Sequence, residues 1–386
     1  MIFSASHYSS FIAECMKTFH SSIPRGGPVD IRKPAHIDIR EEYFRGTNVR
    51  RAVVFLLSNG CQWALGPGHG CTMCGHIAKQ TRAEEPIPPA YFVDQFRTAL
   101  RAIHSENIPI LNIFNNGSFF NDHEIPSEAR RAILSMVNNS PSIRKLLVEC
   151  RPEFITEAVV SEAKSLMPDK ELEIAIGLET ADDVHRMIAV NKGFSMRQFT
   201  EAAKAITENG VSLRSYVLLK PPFLSEQEGI TDAVQTIKTA FSLRADSVSL
   251  EAVTVQKYTL VEYLTEKRLY RVPWLWSIIE VVRQTAHLGK VLVGLFQFYP
   301  SPDLVPNNCT LCNERVMEAI VEYDRTLSVG VLDGLDCECR AEWREALANG
   351  PGLDENLESF ALAARRDGLS ESQKLGPLSD RTAMPV

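Results

Sequence analysis

Residues 52–78 read AVVFLLSNGCQWALGPGHGCTMCGHIA, and the fold turns on this stretch. Its opening, Ala52–Leu57, is an unbroken apolar run, as in a strand buried on both faces. Cys61, Cys71 and Cys74 follow at once in C-x9-C-x2-C spacing. The whole stretch lacks Asp, Glu, Lys and Arg, which at first suggests a membrane span. Asn59, Gln62, His69 and His76 rule that out, together with Gly60, Gly66, Pro67, Gly68, Gly70 and Gly75. Such a density of polar groups and helix breakers does not face lipid. What remains is a buried strand emptying into a glycine-rich thiol loop.

Outward from it, β-like runs alternate with helix-like ones. The further candidate strands are Ile108–Phe114, Arg144–Glu149, Leu172–Leu178, Val211–Leu219, Asp246–Val253 and Lys290–Phe298. Between them, Tyr91–Ser105, Ser127–Asn138, Glu153–Leu166, Ser195–Asn209 and Glu226–Ser242 repeat apolar residues at i, i+3 and i+4, as Phe92, Phe96, Leu100 and Ile103 do. Pro89 and Asn209-Gly210 supply start and stop signals. Strand–helix alternation of this kind means parallel pairing with helices outside. The expected class is α/β, a partial (β/α)6 barrel, with a doubly wound sheet as runner-up. The expected divisions are an N-terminal extension (1–45), the barrel (46–290), a C-terminal extension with a four-cysteine metal site (291–350) and a helical, flexible tail (351–386) whose last 15 or so residues fray.

With 45% apolar and 23% charged residues, the chain is globular and its core needs no staples. Lys+Arg 41 against Asp+Glu 48 gives a net charge of −7, which disfavours a protein that wraps a polyanion by itself. The N-terminus shows no basic leader with an apolar core, so no signal peptide is expected. A cytoplasmic protein without membrane attachment follows, and there thiols stay reduced. Nine cysteines, an odd number, are then metal ligands before they are bridges.

Three thiolates on one loop can hold three irons of a [4Fe–4S] cube and leave the fourth open. A zinc knuckle completed by His69 or His76 is the alternative. Cys309, Cys312, Cys337 and Cys339 form a second group, C-x2-C-x24-C-x-C, a complete tetrahedral set. It suits zinc or an auxiliary [4Fe–4S] cluster. Cys15 and Cys150 have no partners, and Cys150 reads as core.

The three-cysteine loop after the first barrel strand resembles the radical S-adenosylmethionine (SAM) superfamily, whose usual spacing is C-x3-C-x2-C. The longer loop is similar to the Elp3-like branch, and especially to the radical subunit of archaeosine synthases and its uncharacterised relatives. In chain order the likeness continues through FNNGSFFNDHEIP (114–126), VECRPEF (148–154), IGLET (176–180), NKGF (191–194), LLKPPFLSE (218–226), VQKYTLVEYL (255–264), YRVPWLWS (270–277), NCTLC (308–312) and CECRAEW (337–343). The resemblance implies that Cys61, Cys71 and Cys74 hold the cluster, whose open iron chelates SAM and whose electron releases methionine and a 5′-deoxyadenosyl radical. It implies Met73 against the adenine, Gly117 and Ser118 at the methionine amino group, and Glu149 and Arg151 at the ribose and carboxylate. Glu179 and Lys220 are further SAM candidates.

Glu251, Gln256, Tyr258, Tyr270, Trp274 and Trp276 are candidates for a substrate pocket, since an aromatic face that stacks a base contributes about 1–3 kcal/mol. For both tryptophans core packing is the stronger reading. The expected function is hydrogen abstraction from a small, nucleoside-like substrate of a natural-product pathway, with sulfur insertion if the second centre is iron–sulfur. A reductant such as flavodoxin or ferredoxin is the implied partner. Two alternatives stand: a C–N bond lyase acting on a modified tRNA base, and a non-enzymatic zinc-binding protein.

Overall fold

In the computed structural model, which describes residues 5–24, 29–82, 85–104, 106–296 and 298–369, the apolar runs become one eight-stranded sheet whose spatial order is the order of the sequence. The strands are β1 (His36–Phe44), β2 (Thr47–Phe55), β3 (Ile110–Phe114), β4 (Lys145–Glu149), β5 (Glu171–Glu179), β6 (Ser212–Leu219), β7 (Ser247–Ala252) and β8 (Lys290–Val293). From β2 to β8 every pairing is parallel. β1 is antiparallel to β2 across Arg45-Gly46, both at positive φ, the two-residue turn that matches strand twist. Among the named strands β8 does not pair with β1, so the barrel is partial.

Side chains alternate across each strand. Val54, Ile113, Val148, Ile174, Leu213, Val248 and Val291 face outward and pack in the main core with the surrounding helices. Val53, Asn112, Leu147, Ala175, Arg214, Ser249 and Leu292 occupy the opposite, interior face. The strand N-terminal ends are plugged by charge. Arg214 reaches Glu42 at 2.9 Å and Glu173 at 3.0 Å, Lys145 reaches Glu173 at 2.9 Å, and Arg51 reaches Glu42 at 2.5 Å. Glu42 comes from β1, a strand inside the stretch that the sequence suggested as an N-terminal extension.

Two helices open on capping boxes, Ser195 with Gln198 before Met196–Glu208 and Ser225 with Glu228 before Glu226–Ser242. The expected helix at Glu153–Leu166 begins later, at Glu157, because Pro152–Phe154 forms a tight turn and Thr156 supplies the N-cap. Helix Asn313–Thr326 covers the free edge of β8: Tyr323 Oη donates to the Val291 carbonyl and Asp324 accepts from the Val293 amide. A second core joins helix Ala5–Ser21 to Leu353–Arg366, with Phe11 and Phe360 ring centroids 5.3 Å apart. The helical start of the expected tail is therefore docked, and its last 17 residues lie outside the described residues. No helix among the described residues is long and apolar enough to cross a membrane.

Candidate active site and metal centre

The three-cysteine loop leaves β2 at the C-terminal end of the parallel strands, and side chains from three other strand ends hold it. Asn191, in the left-handed region, donates through Nδ2 to the carbonyls of Gly68 and Gly70, both at 2.7 Å. Thr72 is bonded through its amide to Val190 and through its hydroxyl to Ala189. Trp63 donates Nε1 to the Asn191 carbonyl at 2.7 Å. Its ring lies where a Cβ on Gly68 or Gly193 would be, so both positions require glycine. On the other flank the buried Glu124 carboxylate accepts from the Gln62 amide at 2.9 Å, the Ser118 amide at 2.5 Å and Asn115 Nδ2 at 2.9 Å. Gly75 donates its amide to Gln256 Oε1 at 2.7 Å, and His76 Nδ1 meets the Tyr299 carbonyl at 2.9 Å.

The thiols are free and half-buried. Burial, with Glu124 close by, pushes Cys61 up to about 11. Burial and the neighbouring Cys71 push Cys74 up to about 12, and burial raises Cys71 also. Thiols in this state need a cation to ionise. Lys192, bonded to Glu179 at 2.6 Å, is near enough to Cys71 for each to shift the other. A Cβ on Gly177 would occupy the place of that ion pair.

Beside the loop lie buried polar atoms without partners: Asn115 Oδ1, Asn116 Nδ2 and Arg151 Nη2. The Arg151 guanidinium sits 5.1 Å from the Trp63 ring centroid and is held through Nε by Glu153 at 2.6 Å. Ser118 is otherwise spent, its hydroxyl accepting from the Arg151 amide at 3.2 Å and its amide given to Glu124. Met73 packs against the second core.

Glu149 points along the barrel interior and receives the Tyr216 hydroxyl. Burial pushes its carboxyl from the usual 4.5 up to about 7, with Glu251 and Glu179 adding to the rise. A carboxyl raised on folding contributes its stability below the unfolded pKa and loses it as pH climbs through the folded one. Glu149→Gln should therefore stabilise the protein at pH 8, by at most about 3 kcal/mol at 1.36 kcal/mol per pH unit, and change nothing near pH 4.5. Denaturant melts of the two proteins across that range check this.

The second thiol group is compact. Cys309 Sγ lies 3.7 Å from Cys312 Sγ and 3.6 Å from Cys337 Sγ, and Cys312 lies 3.6 Å from Cys339. All four sulfurs fall within 4.8 Å of one another. Cys61, Cys71 and Cys74 form no such group among the described residues. Trp276 donates Nε1 to Cys339 Sγ at 3.3 Å, and Trp343 donates Nε1 to Ser277 Oγ at 2.9 Å. Arg340 lies over both rings.

Of the suggested SAM residues, Gly117, Ser118, Glu149, Arg151 and Glu179 gather around the first loop. Lys220 does not. Its ammonium meets Glu226 at 2.8 Å and the Arg271 carbonyl at 3.0 Å, on segments that lead to the four-cysteine group. Of the suggested pocket residues, Trp276 is a neighbour of Cys339, and Trp274 is buried under the Arg271 guanidinium at 3.7 Å. Tyr270, also buried, donates to the Lys220 carbonyl. These three are core: Trp274 and Trp276 pack in the main core and Tyr270 in the second. Gln256 supports the cysteine loop, Tyr258 stands half-buried beside it, and only Glu251 faces the interior. Sequence reasoning missed Trp63, Asn191, Lys192 and Glu124, although NKGF had been singled out.

A partial parallel barrel with a three-thiol loop leaving its first parallel strand, and behind it four thiols that could hold a metal ion, is the arrangement that the resemblance to the radical SAM superfamily implies. No family model matches the chain. It belongs to the archaeosine synthase subunit beta family, being 36% identical over 324 residues to that protein of Methanosarcina acetivorans (83% of this chain, 91% of that one). It is also 32% identical over 299 residues to the one of Thermococcus kodakarensis (73% and 87%). Among solved structures it is similar to methylornithine synthase (PylB), at 12% identity and a TM-score of 0.48, covering 86% of this chain and 83% of that one.

Proposed function

We propose that the chain is the radical SAM component of a base-modifying enzyme, with Cys61, Cys71 and Cys74 holding a [4Fe–4S] cluster. The observation that carries this is the loop itself. Three half-buried thiols sit at the C-terminal mouth of the barrel, spread along a scaffold of Asn191, Thr72 and Glu124 bonds, and among the described residues they form no group within 4.8 Å of one another. That spread suits a group of several metal atoms, and it weighs against the zinc knuckle with His69 or His76. The cluster and SAM, when bound, supply a 5′-deoxyadenosyl radical. The chain's own part is to receive SAM. Arg151 Nη2 and Asn116 Nδ2 offer donors to a carboxylate, Asn115 Oδ1 accepts from an ammonium, and Lys192 offsets charge at Cys71.

The relatives' identity as archaeosine synthase subunits favours a modified tRNA base and a C–N bond-breaking reaction over the free nucleoside and sulfur insertion suggested by sequence. The net charge of −7 then means that a partner subunit brings the basic surface for tRNA. For the second centre we propose one zinc ion. Tetrahedral zinc with sulfur at about 2.3 Å sets sulfurs about 3.8 Å apart. The observed 3.6–3.7 Å fits this, whereas a cube gives each thiolate its own iron.

Anaerobic reconstitution tests both metal assignments. About four irons and one zinc per chain are expected, with methionine and 5′-deoxyadenosine released under reductant. Zinc alone with no methionine sinks the enzyme reading, and about eight irons sinks the zinc assignment.

A further inference from the structure

Trp63 stands two residues after Cys61, in the helical turn Gln62–Leu65 that begins the long stretch between Cys61 and Cys71. Its one polar atom is already spent, since Nε1 donates to the Asn191 carbonyl at 2.7 Å. The ring fills space that two glycines leave open: a Cβ on Gly68 or on Gly193 would come within 2.2 Å of it. Holding the loop does not by itself ask for so large a side chain, because Asn191 Nδ2 already ties the Gly68 and Gly70 carbonyls in place.

What the ring touches next shows its use. The Arg151 guanidinium carbon lies 5.1 Å from the Trp63 ring centroid and 5.5 Å from that of Phe194, within cation–π reach of both. Phe194 is buried and is itself backed by Arg186, 5.2 Å from its centroid. Glu153 holds Arg151 Nε at 2.6 Å. An arginine side chain is ordinarily free among many rotamers, and here a carboxylate and two rings restrict it. Nη2 is left over, without a partner, in a residue only 6% exposed. A buried guanidinium N–H is costly unless a ligand supplies the acceptor.

We infer that Trp63 is a positioning residue: with Phe194 it fixes the Arg151 guanidinium so that Nη2 donates to the α-carboxylate of SAM. A donor held in place loses less freedom on binding than a mobile one, so the bond contributes more to affinity. A ligand without the carboxylate leaves the guanidinium unpaired and is selected against. The inference rests on the proposed function in taking SAM as the ligand. It goes beyond that reading in giving Trp63 and Phe194 a task, and with them the long stretch between Cys61 and Cys71.

The test is equilibrium binding, without reductant, of SAM and of decarboxylated SAM, which lacks only the carboxylate, to the anaerobically reconstituted protein. Trp63→Leu should weaken SAM binding about tenfold or more, the worth of a charge-assisted hydrogen bond, and change decarboxylated SAM by less than about threefold. Trp63→Phe keeps a ring without the Asn191 bond and should retain most of the SAM affinity. Phe194→Leu should act in the same direction as Trp63→Leu. In an Arg151→Gln background Trp63→Leu should cost nothing further, because its effect passes through the guanidinium. Equal weakening of both ligands, losses that add to those of Arg151→Gln, or unchanged SAM binding in Trp63→Leu overturns the inference, since the ring would then only hold the loop. If Trp63→Leu loses its iron, Phe194→Leu decides, because Phe194 lies outside the cysteine loop; an unchanged preference for SAM there overturns the inference. Unaltered protein that binds SAM but releases no methionine under reductant removes the functional reading and leaves the positioning role standing. Variants that discriminate as the original does, in a protein that cleaves SAM, remove the positioning role alone.

Discussion

Replacing any one of Cys61, Cys71 and Cys74 by Ala should reduce SAM cleavage to the uncatalysed background and take most of the iron with it, while leaving the fold intact. Each thiolate serves a different iron, so no neighbour can substitute for a missing one. The loop, however, is held by groups that are not thiols: Asn191 on Gly68 and Gly70, Thr72 on Val190 and Ala189, and Glu124 on Gln62. Removing one sulfur from a half-buried position leaves all of these in place. The expected pattern is unchanged far-UV circular dichroism and a melting temperature within a few degrees for the metal-free proteins, with loss of iron, of the cluster's visible absorbance and of methionine release. A variant that keeps cleavage above background refutes the cluster assignment. A variant that unfolds is compared with Asn191→Ala, which should loosen the loop with all three thiols intact and so separate scaffold from ligand.

The parallel strands were legible because Ala52–Leu57 is a continuous apolar run, as in a strand buried on both faces, and a later one such as SVSLEA (247–252) alternates with the strand period of two. β1 was not seen, although Ile37 and Ile39 alternate with Asp38 and Arg40. The charged half of HIDIREEYF reads as surface, and only the fold shows Glu42 serving Arg214 at 2.9 Å in the barrel's interior. Cysteine spacing gave both thiol groups, because ligand spacing survives in one dimension. The partners that orient them did not. Asn191 lies 123 residues from Gly68 in the chain, and Trp276 lies 63 from Cys339. Strand-end position alone put Lys220 with Arg151, but position does not say which way a side chain turns. Glu226, at the start of the next helix, is what turns it. For the tryptophans core was already the stronger reading of the sequence, and both lie in the main core, Trp276 with its N–H on Cys339.

Removing the metal from the four-cysteine centre should lower the melting temperature by about 10 °C or more and weaken iron retention at the other, distant thiol loop. Zinc held by four thiolates contributes on the order of 10 kcal/mol of apparent binding energy at neutral pH, and that energy is available to the fold. The bonds around the centre show where it goes. Trp276 reaches Cys339, Trp343 reaches Ser277, and Ser277 and the Trp274 amide both donate to Glu226, which holds Lys220 at the end of β6. On the other side the chain entering Cys309 is tied down by the Asn307 amide on the Pro273 carbonyl and by Asn308 Oδ1 on the Trp276 amide. Earlier in the same segment, Tyr299 accepts from His76, and Pro300 accepts from Gln256, which itself holds Gly75 next to Cys74. Freed at Cys309, this strap no longer fixes those carbonyls, and the last turn of the three-cysteine loop loses its support. Four thiols crowded at 3.6–3.7 Å also cannot all ionise without a cation between them; burial already pushes Cys339 up to about 12. At roughly 2–4 °C per kcal/mol, a net loss of a few kcal/mol accounts for the shift. Calorimetric melts with and without a zinc chelator measure it, and Cys339→Ser gives the same state genetically. Retained iron in that variant, with a melting temperature unchanged to within a few degrees, would mean that the centre is neither structural nor coupled to the barrel mouth. Lost iron with intact zinc would place the coupling elsewhere. Loss of both stability and iron is what the strap requires, because the chain from β8 to the four cysteines runs through Tyr299 and Pro300, which hold His76 and Gln256.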